Sequence, residues 1–185
     1  MKIAYILFNK ITLLDFIGVY DAVLRLKIMN YIPDLQWDLC ALTEKVSDES
    51  GLTLLPTKTG NSLENYDVLV VPGGEGTKTL QHDPDFIAWL RTASPAALKT
   101  SVCTGSLLLG AAGFLINKKA TTHFEYYEAL QAYCKEVVTD RVVEDGNIIT
   151  AGAVSSSIDL GLFLCTKWAG VEAAKAIRKR MDYRG

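Results

Sequence analysis

Val68-Leu69-Val70-Val71 has no polar face, and it runs directly into Pro72-Gly73-Gly74. A strand that is apolar on both sides must be covered on both sides, which points to the middle of a parallel sheet wrapped by helices. Residues 2–8 form a second run of the same kind, and residues 35–42 and 99–102 read as further strands. Between them, residues 13–29 place Leu13, Ile17, Val23, Leu24 and Ile28 near helical spacing. Residues 84–91 read as a helix with Asp83 at its N-cap and Pro84 at the first helical position. A helix from 104 to about 115 and two closing helices over 155–168 and 171–181 continue the alternation. This pattern predicts an α/β chain with an open, doubly wound, mostly parallel sheet and helices on both faces. Residues 52–56 read as an extended arm, and Asp145-Gly146 between two β-rich arms predicts a small antiparallel hairpin, expected as an appendage.

No repeat or Pro/Gly/Ser-rich linker divides the 185 residues, so one compact domain over 1–185 is expected. Nineteen Lys and Arg against 21 Asp and Glu leave a net charge of −2, with no basic surplus to neutralise a phosphate backbone. This argues against nucleic-acid binding. The one basic cluster, Lys175, Arg178, Lys179, Arg180 and Arg184, falls in the last helix, where cations complement the macrodipole. The apolar run at the N-terminus is broken by Asn9-Lys10 and is too short for a secretory core. The uncharged stretch 100–117 opens with polar residues, unlike a membrane span. Cys40, Cys103, Cys134 and Cys165 include no Cys-x-x-Cys pair, and His82 and His123 stand far apart, so neither a metal site nor a disulfide framework is indicated. The four are read as reduced cytoplasmic thiols.

Ligands in doubly wound sheets bind at the carboxyl ends of the strands, and three such ends carry unusual residues. Ser101-Val102-Cys103-Thr104-Gly105 puts a cysteine at a strand-to-helix junction with small residues two positions to either side, the pattern of a nucleophile elbow. The helix N-terminus beneath the sulfur is expected to lower its pKa, and Cys103 is expected to be exposed and the most readily alkylated of the four thiols. The alternative is a small apolar core residue. Pro72-Gly73-Gly74-Glu75-Gly76 offers backbone N–H groups to a developing anion, or is an ordinary turn. Asp15, in Leu14-Asp15-Phe16, is either a helix cap or a catalytic carboxyl. His123 is a candidate base for the cysteine, or else caps or packs.

These residues resemble the ThiJ/PfpI superfamily of class I glutamine-amidotransferase-like proteins. The matching stretches run from Leu14-Asp15-Phe16 through Val71-Pro72-Gly73-Gly74 and Ser101-Val102-Cys103-Thr104-Gly105-Ser106 to Ala120-Thr121-Thr122-His123 and Asp145-Gly146-Asn147. Peptidase-like members carry Cys-His-Gly at the elbow, whereas this chain has Cys-Thr-Gly, which favours the branch of the isonitrile hydratases. Ile17 and Val19 depart from the Thr and Pro usual in that branch. The resemblance implies a flavodoxin-like sandwich, a homodimer, and Cys103, Asp15 and Thr104 as essential groups with no cofactor. It implies hydration of isonitriles to N-substituted formamides; for that chemistry Gly73, Gly74 and His123 are the expected oxyanion and substrate-binding residues. Regulators that share the domain carry a C-terminal DNA-binding module, which is not expected here. Two other activities use the same cysteine. One is a deglycase or glyoxalase acting on reactive carbonyls, and the other is a redox sensor built on an exposed, low-pKa thiolate without turnover.

Overall fold

In the computed structural model, which describes residues 1–185, β1 (Lys2–Ile6) and β6 (Val68–Val71) lie side by side in parallel at the centre of a seven-stranded sheet. Their residues are buried from Ile3 to Ile6 and from Val68 to Val71, as the apolar runs require. The chain passes from β1 through α1 (Leu13–Ile28) to β2 (Gln36–Ala41), then through the short strands β3 (Val46–Ser47), β4 (Thr53–Leu54) and β5 (Lys58–Thr59) to β6. Next come α2 (Thr77–Leu80), α3 (Pro84–Leu90), β7 (Leu98–Val102), α4 (Gly105–Ala111) and β8 (Lys119–Ala120). After a 3-10 turn at Phe124–Tyr126 follow α5 (Tyr127–Gln131), β9 (Glu136–Val137), β10 (Val142–Asp145), β11 (Ile148–Ala151) and α6 (Ser156–Arg180).

The sheet order is β10-β11-β7-β6-β1-β2-β5, and every pair is parallel except β10 with β11. From β1 the chain steps outward to β2, and from β6 it steps the opposite way to β7. The switch point therefore lies between β1 and β6, and helices cover both faces. On one face α1 packs against α6, with Phe16 and Tyr20 each 5.4 Å from the Tyr5 ring on β1. The closing helix is two helices in sequence, because Gly170 takes φ 84° and breaks it, as the separate spans 155–168 and 171–181 anticipate.

Two expectations change. The Asp145-Gly146 hairpin is no appendage: β11 pairs in parallel with β7, so the hairpin completes the main sheet. The helix expected to run to about residue 115 stops at Ala111, just ahead of Gly113 at φ 85°. At α3 the cap is as read, with Asp83 Oδ1 accepting from the N–H groups of Asp85 at 2.9 Å and Phe86 at 3.1 Å. Asp83→Ala leaves both donors without a side-chain partner, and we expect a loss of about 1 kcal/mol in urea unfolding, with Asp83→Asn nearly neutral.

Candidate active site

The parallel order β7-β6-β1 brings three carboxyl-terminal strand ends together, so residues distant in sequence meet: Asp15 after β1, Gly73 after β6 and Cys103 after β7. Asp15 is 0% exposed. It does not cap α1. The N-cap is Thr12, Asp15 lies within the first turn, and its Oδ2 accepts from the Gly73 N–H at 2.9 Å. The capping reading of Asp15 is thereby overturned, since its carboxyl turns inward to the loop after β6. Thr104 Oγ1 accepts from the Gly74 N–H at 3.0 Å. A Cβ on Gly73 would stand 2.7 Å from Thr104 N, 2.7 Å from Thr104 Oγ1 and 2.9 Å from Asp15 Oδ2, so only glycine lets the three segments converge.

Cys103 has φ 55°, a left-handed conformation that a residue with a Cβ holds only when its surroundings over-determine it. Its N–H donates to Gly152 O at 2.8 Å and Ala151 O at 3.1 Å, while its carbonyl accepts from Thr122 Oγ1 at 2.9 Å. Gly105 is required two residues on, because a Cβ there would lie 2.2 Å from Val71 O. The sharp strand-to-helix turn expected from the small-residue spacing is therefore present.

The electrostatic expectation for the sulfur is not met. Cys103 is 6% exposed, and Cys134 is the more accessible thiol. Burial and the neighbouring Asp15 carboxylate push the Cys103 thiol up to about 12, although hydrogen bonds from the Thr104 N–H and hydroxyl pull the other way. The helix behind it has only two turns, and desolvation outweighs its N-terminal field. Burial likewise pushes the Asp15 carboxyl up to about 7, against the lowering effect of the Gly73 N–H and Cys103. Both groups are pushed upward, so the buried pair retains a proton near neutral pH.

The other candidates fall into place differently. The N–H groups of Gly73 and Gly74 are occupied by Asp15 and Thr104 rather than turned toward an incoming anion. His123 stacks on Phe124 at 4.4 Å, and its Nδ1 accepts from the Glu125 N–H at 3.3 Å, which caps the 3-10 turn. It nevertheless shares with Cys103, Thr104, Thr12, Tyr126 and Val154 a cleft of ≈ 210 Å³. Thr122 and Gly152 fix the backbone of Cys103, a role that neither residue type nor spacing marks. Their role exists only once β11 lies beside β7. No three His, Cys, Asp or Glu side chains converge to hold a metal ion.

Because burial raises the Asp15 carboxyl from 3.8 to about 7, folding favours its protonated form. That stabilisation is full below the unfolded value and is lost as pH rises through about 7, a swing on the order of 4 kcal/mol. Asp15→Asn keeps the shape without the ionisation. In urea unfolding followed across pH, the variant should gain on wild type between about pH 4 and 7. Parallel pH profiles for the two proteins would refute a buried carboxyl with a raised pKa.

A sequence profile of the DJ-1/PfpI family matches residues 1–167. The chain is 39% identical over 189 aligned residues to the isonitrile hydratase of Pseudomonas putida, covering 99% of this chain and 78% of that protein. It is 23% identical over 140 residues to a glutathione-independent glyoxalase of Caenorhabditis elegans, covering 74% of this chain and 75% of that one. A crystal structure of a ThiJ/PfpI family protein from Pseudomonas syringae superposes with a TM-score of 0.90 at 29% identity, over 100% of this chain and 75% of that one. With a flavodoxin-like sheet, a cysteine elbow after β7 and a match over most of its length, the chain belongs to the DJ-1/PfpI family.

Proposed function

We propose that this protein is a cytoplasmic, cysteine-dependent isonitrile hydratase that converts R–NC to the N-substituted formamide R–NH–CHO. The observation that carries the reading is the convergence of Asp15, Cys103 and Thr104 at the switch point, in a chain similar along its length to an isonitrile hydratase. In this mechanism Cys103 Sγ attacks the terminal isonitrile carbon while its proton passes to the Asp15 carboxylate. Asp15 Oδ1, which has no protein hydrogen-bond partner, is the open acceptor. Asp15 then returns the proton to the same carbon, which gives the thioimidate R–N=CH–S–Cys103. Water adds across the C=N bond, the C–S bond breaks, and the hydroxyl proton of the adduct passes to sulfur as formamide leaves.

A thiol near 12 beside a carboxyl near 7 suits this order, since the carboxylate is the base available when the thiol must be deprotonated. The Thr104 N–H and hydroxyl stabilise charge on the sulfur during the exchange. In this reading Gly73 and Gly74 hold Asp15 and Thr104 in place rather than forming the oxyanion site, and His123 contacts substrate in the cleft. A glyoxalase-type activity on the same cysteine is the second reading, and it rests on the likeness to the nematode glyoxalase. The redox-sensor reading needs an exposed thiolate of low pKa, which a 6% exposed thiol near 12 disfavours.

We also propose that residues 1–185 act as one domain in a two-fold homodimer, with Leu14 and Ile17, 51% and 41% exposed on α1, covered by the second copy. Light scattering is expected to return twice the 20.3 kDa of the chain, and a monomer mass at micromolar concentration overturns the dimer.

Cyclohexyl isocyanide and methylglyoxal assayed side by side test the activity. We expect formamide from the first, none with Cys103→Ala, and a fall of about 100-fold to 10,000-fold with Asp15→Asn at unchanged fold. Cys103-dependent loss of methylglyoxal without isonitrile turnover would install the second reading instead.

A further inference from the structure

The cleft over Cys103 is lined by three carboxylates, Glu49, Glu75 and Glu125, and by no lysine or arginine. Glu75 is paired with Lys78 Nζ at 2.6 Å. Glu125 Oε2 lies 3.8 Å from His123 Nδ1, an ion pair only when the imidazole is protonated, and Glu49 has no cationic partner. Acidic side chains on a surface carry little meaning by themselves. These surround a cleft that contains a strained cysteine, with a fully buried carboxyl beside it whose Oδ1 has no protein partner. A molecule that reaches the sulfur must therefore enter a concave space of ≈ 210 Å³ bordered by negative charge, where the field of the carboxylates is focused.

We propose that Glu49 and Glu125 act as a charge filter, so that the site admits small uncharged isonitriles and excludes those bearing a carboxylate. The substrate class rests on the hydratase reading above; the filter itself concerns any reagent that approaches Cys103. A unit charge a few ångströms from two largely unpaired surface carboxylates is disfavoured on the order of tenfold in total, and salt weakens the effect. Anionic substrate therefore reacts more slowly for want of access, and the chemical step is unchanged.

The substrate pair that reads this is methyl isocyanoacetate, which is neutral, against isocyanoacetate, which carries the same reacting group beside a negative charge. In wild type at low salt we expect kcat/KM to favour the ester by about tenfold or more. The preference should shrink several-fold in the double variant Glu49→Gln/Glu125→Gln and also in about 1 M NaCl. A second arm needs no turnover. Cys103 is alkylated with iodoacetamide or iodoacetate at mildly alkaline pH and followed by mass mapping, with each rate normalised to Cys134, which lies outside the cleft. The neutral reagent should be favoured at Cys103, and less so in the double variant.

If neither isonitrile is hydrated yet the alkylation preference shrinks in the variant, the filter stands and the hydratase reading falls. If hydration occurs and the preferences of both arms are the same in wild type, double variant and high salt, the filter is overturned and the hydratase reading stands. Failure of both reagents to label Cys103 also overturns the filter, because the cleft would then admit neither charge.

Discussion

Asp15 is completely buried, and the one backbone group that its carboxyl accepts from is the Gly73 N–H, at 2.9 Å. An ionised carboxylate in that position gives up hydration that a single amide does not replace, so its pKa rises to about 7 and its proton becomes exchangeable near neutrality. The geometry of the site follows from keeping that group sealed. Gly73 must be glycine for its backbone to come near enough, Thr104 must stand where a Cβ on Gly73 would be, and the sulfur of Cys103 completes the enclosure. None of this is local. The contact spans 58 positions of sequence, and it exists because β1, β6 and β7 are neighbours in one parallel sheet.

The conformation of Cys103 is the second constraint. Left-handed backbone at a residue with a Cβ costs on the order of 1–3 kcal/mol, and it persists where hydrogen bonds leave no alternative. Here the N–H is held by the turn after β11 and the carbonyl by Thr122, so two segments remote in sequence clamp the peptide units on either side of Cys103. That turn is tied to Arg141, just ahead of β10, whose carbonyl accepts from the Gly152 N–H at 3.0 Å and whose side chain pairs with Asp159 on α6. Tyr183 OH donates to Asp159 as well, at 2.8 Å. Through these contacts the last residues of the chain brace the loop that holds the strained cysteine.

Much of this was legible in the sequence where the signal is steric and local. Val68-Leu69-Val70-Val71 could not be an edge strand, and the small residues around Cys103 mark a turn that larger ones would block. Asp83 with Pro84 announces a cap whose bonds lie within three residues. Asp15 is ambiguous in sequence because an aspartate near a helix start can cap it or turn inward, and only its partner in the loop after β6 separates the two. The thiol departs from expectation for a related reason: a helix N-terminus can be read from sequence, but burial cannot, and burial decides the direction. The inclusion of the hairpin in the main sheet, and the short α2, α5 and β8–β9 pieces, depend on pairings that leave no periodicity to detect.

A roomy apolar cavity lies apart from the convergence of Asp15, Thr104 and Cys103. A space of ≈ 430 Å³ opens beside Phe8, Leu80 and Phe86 at the ends of β1 and β2, and of the residues that line the cleft over Cys103 only Glu75 lines both spaces. The backbone itself separates them: a Cβ on Gly74 would lie 2.4 Å from Lys10 O and 2.5 Å from Thr12 N, so the loop after β6 is pressed against the segment after β1. Volume and apolar lining are what a passive ligand needs. A covalent reaction needs instead a nucleophile that a small substrate can reach, a proton held within one hydrogen bond of it, and water limited enough for that proton to stay with its pair. On the proposed reading, the ≈ 210 Å³ cleft that Cys103 and Thr104 line, with the buried Asp15 carboxyl beside Cys103, suits those requirements because it is small.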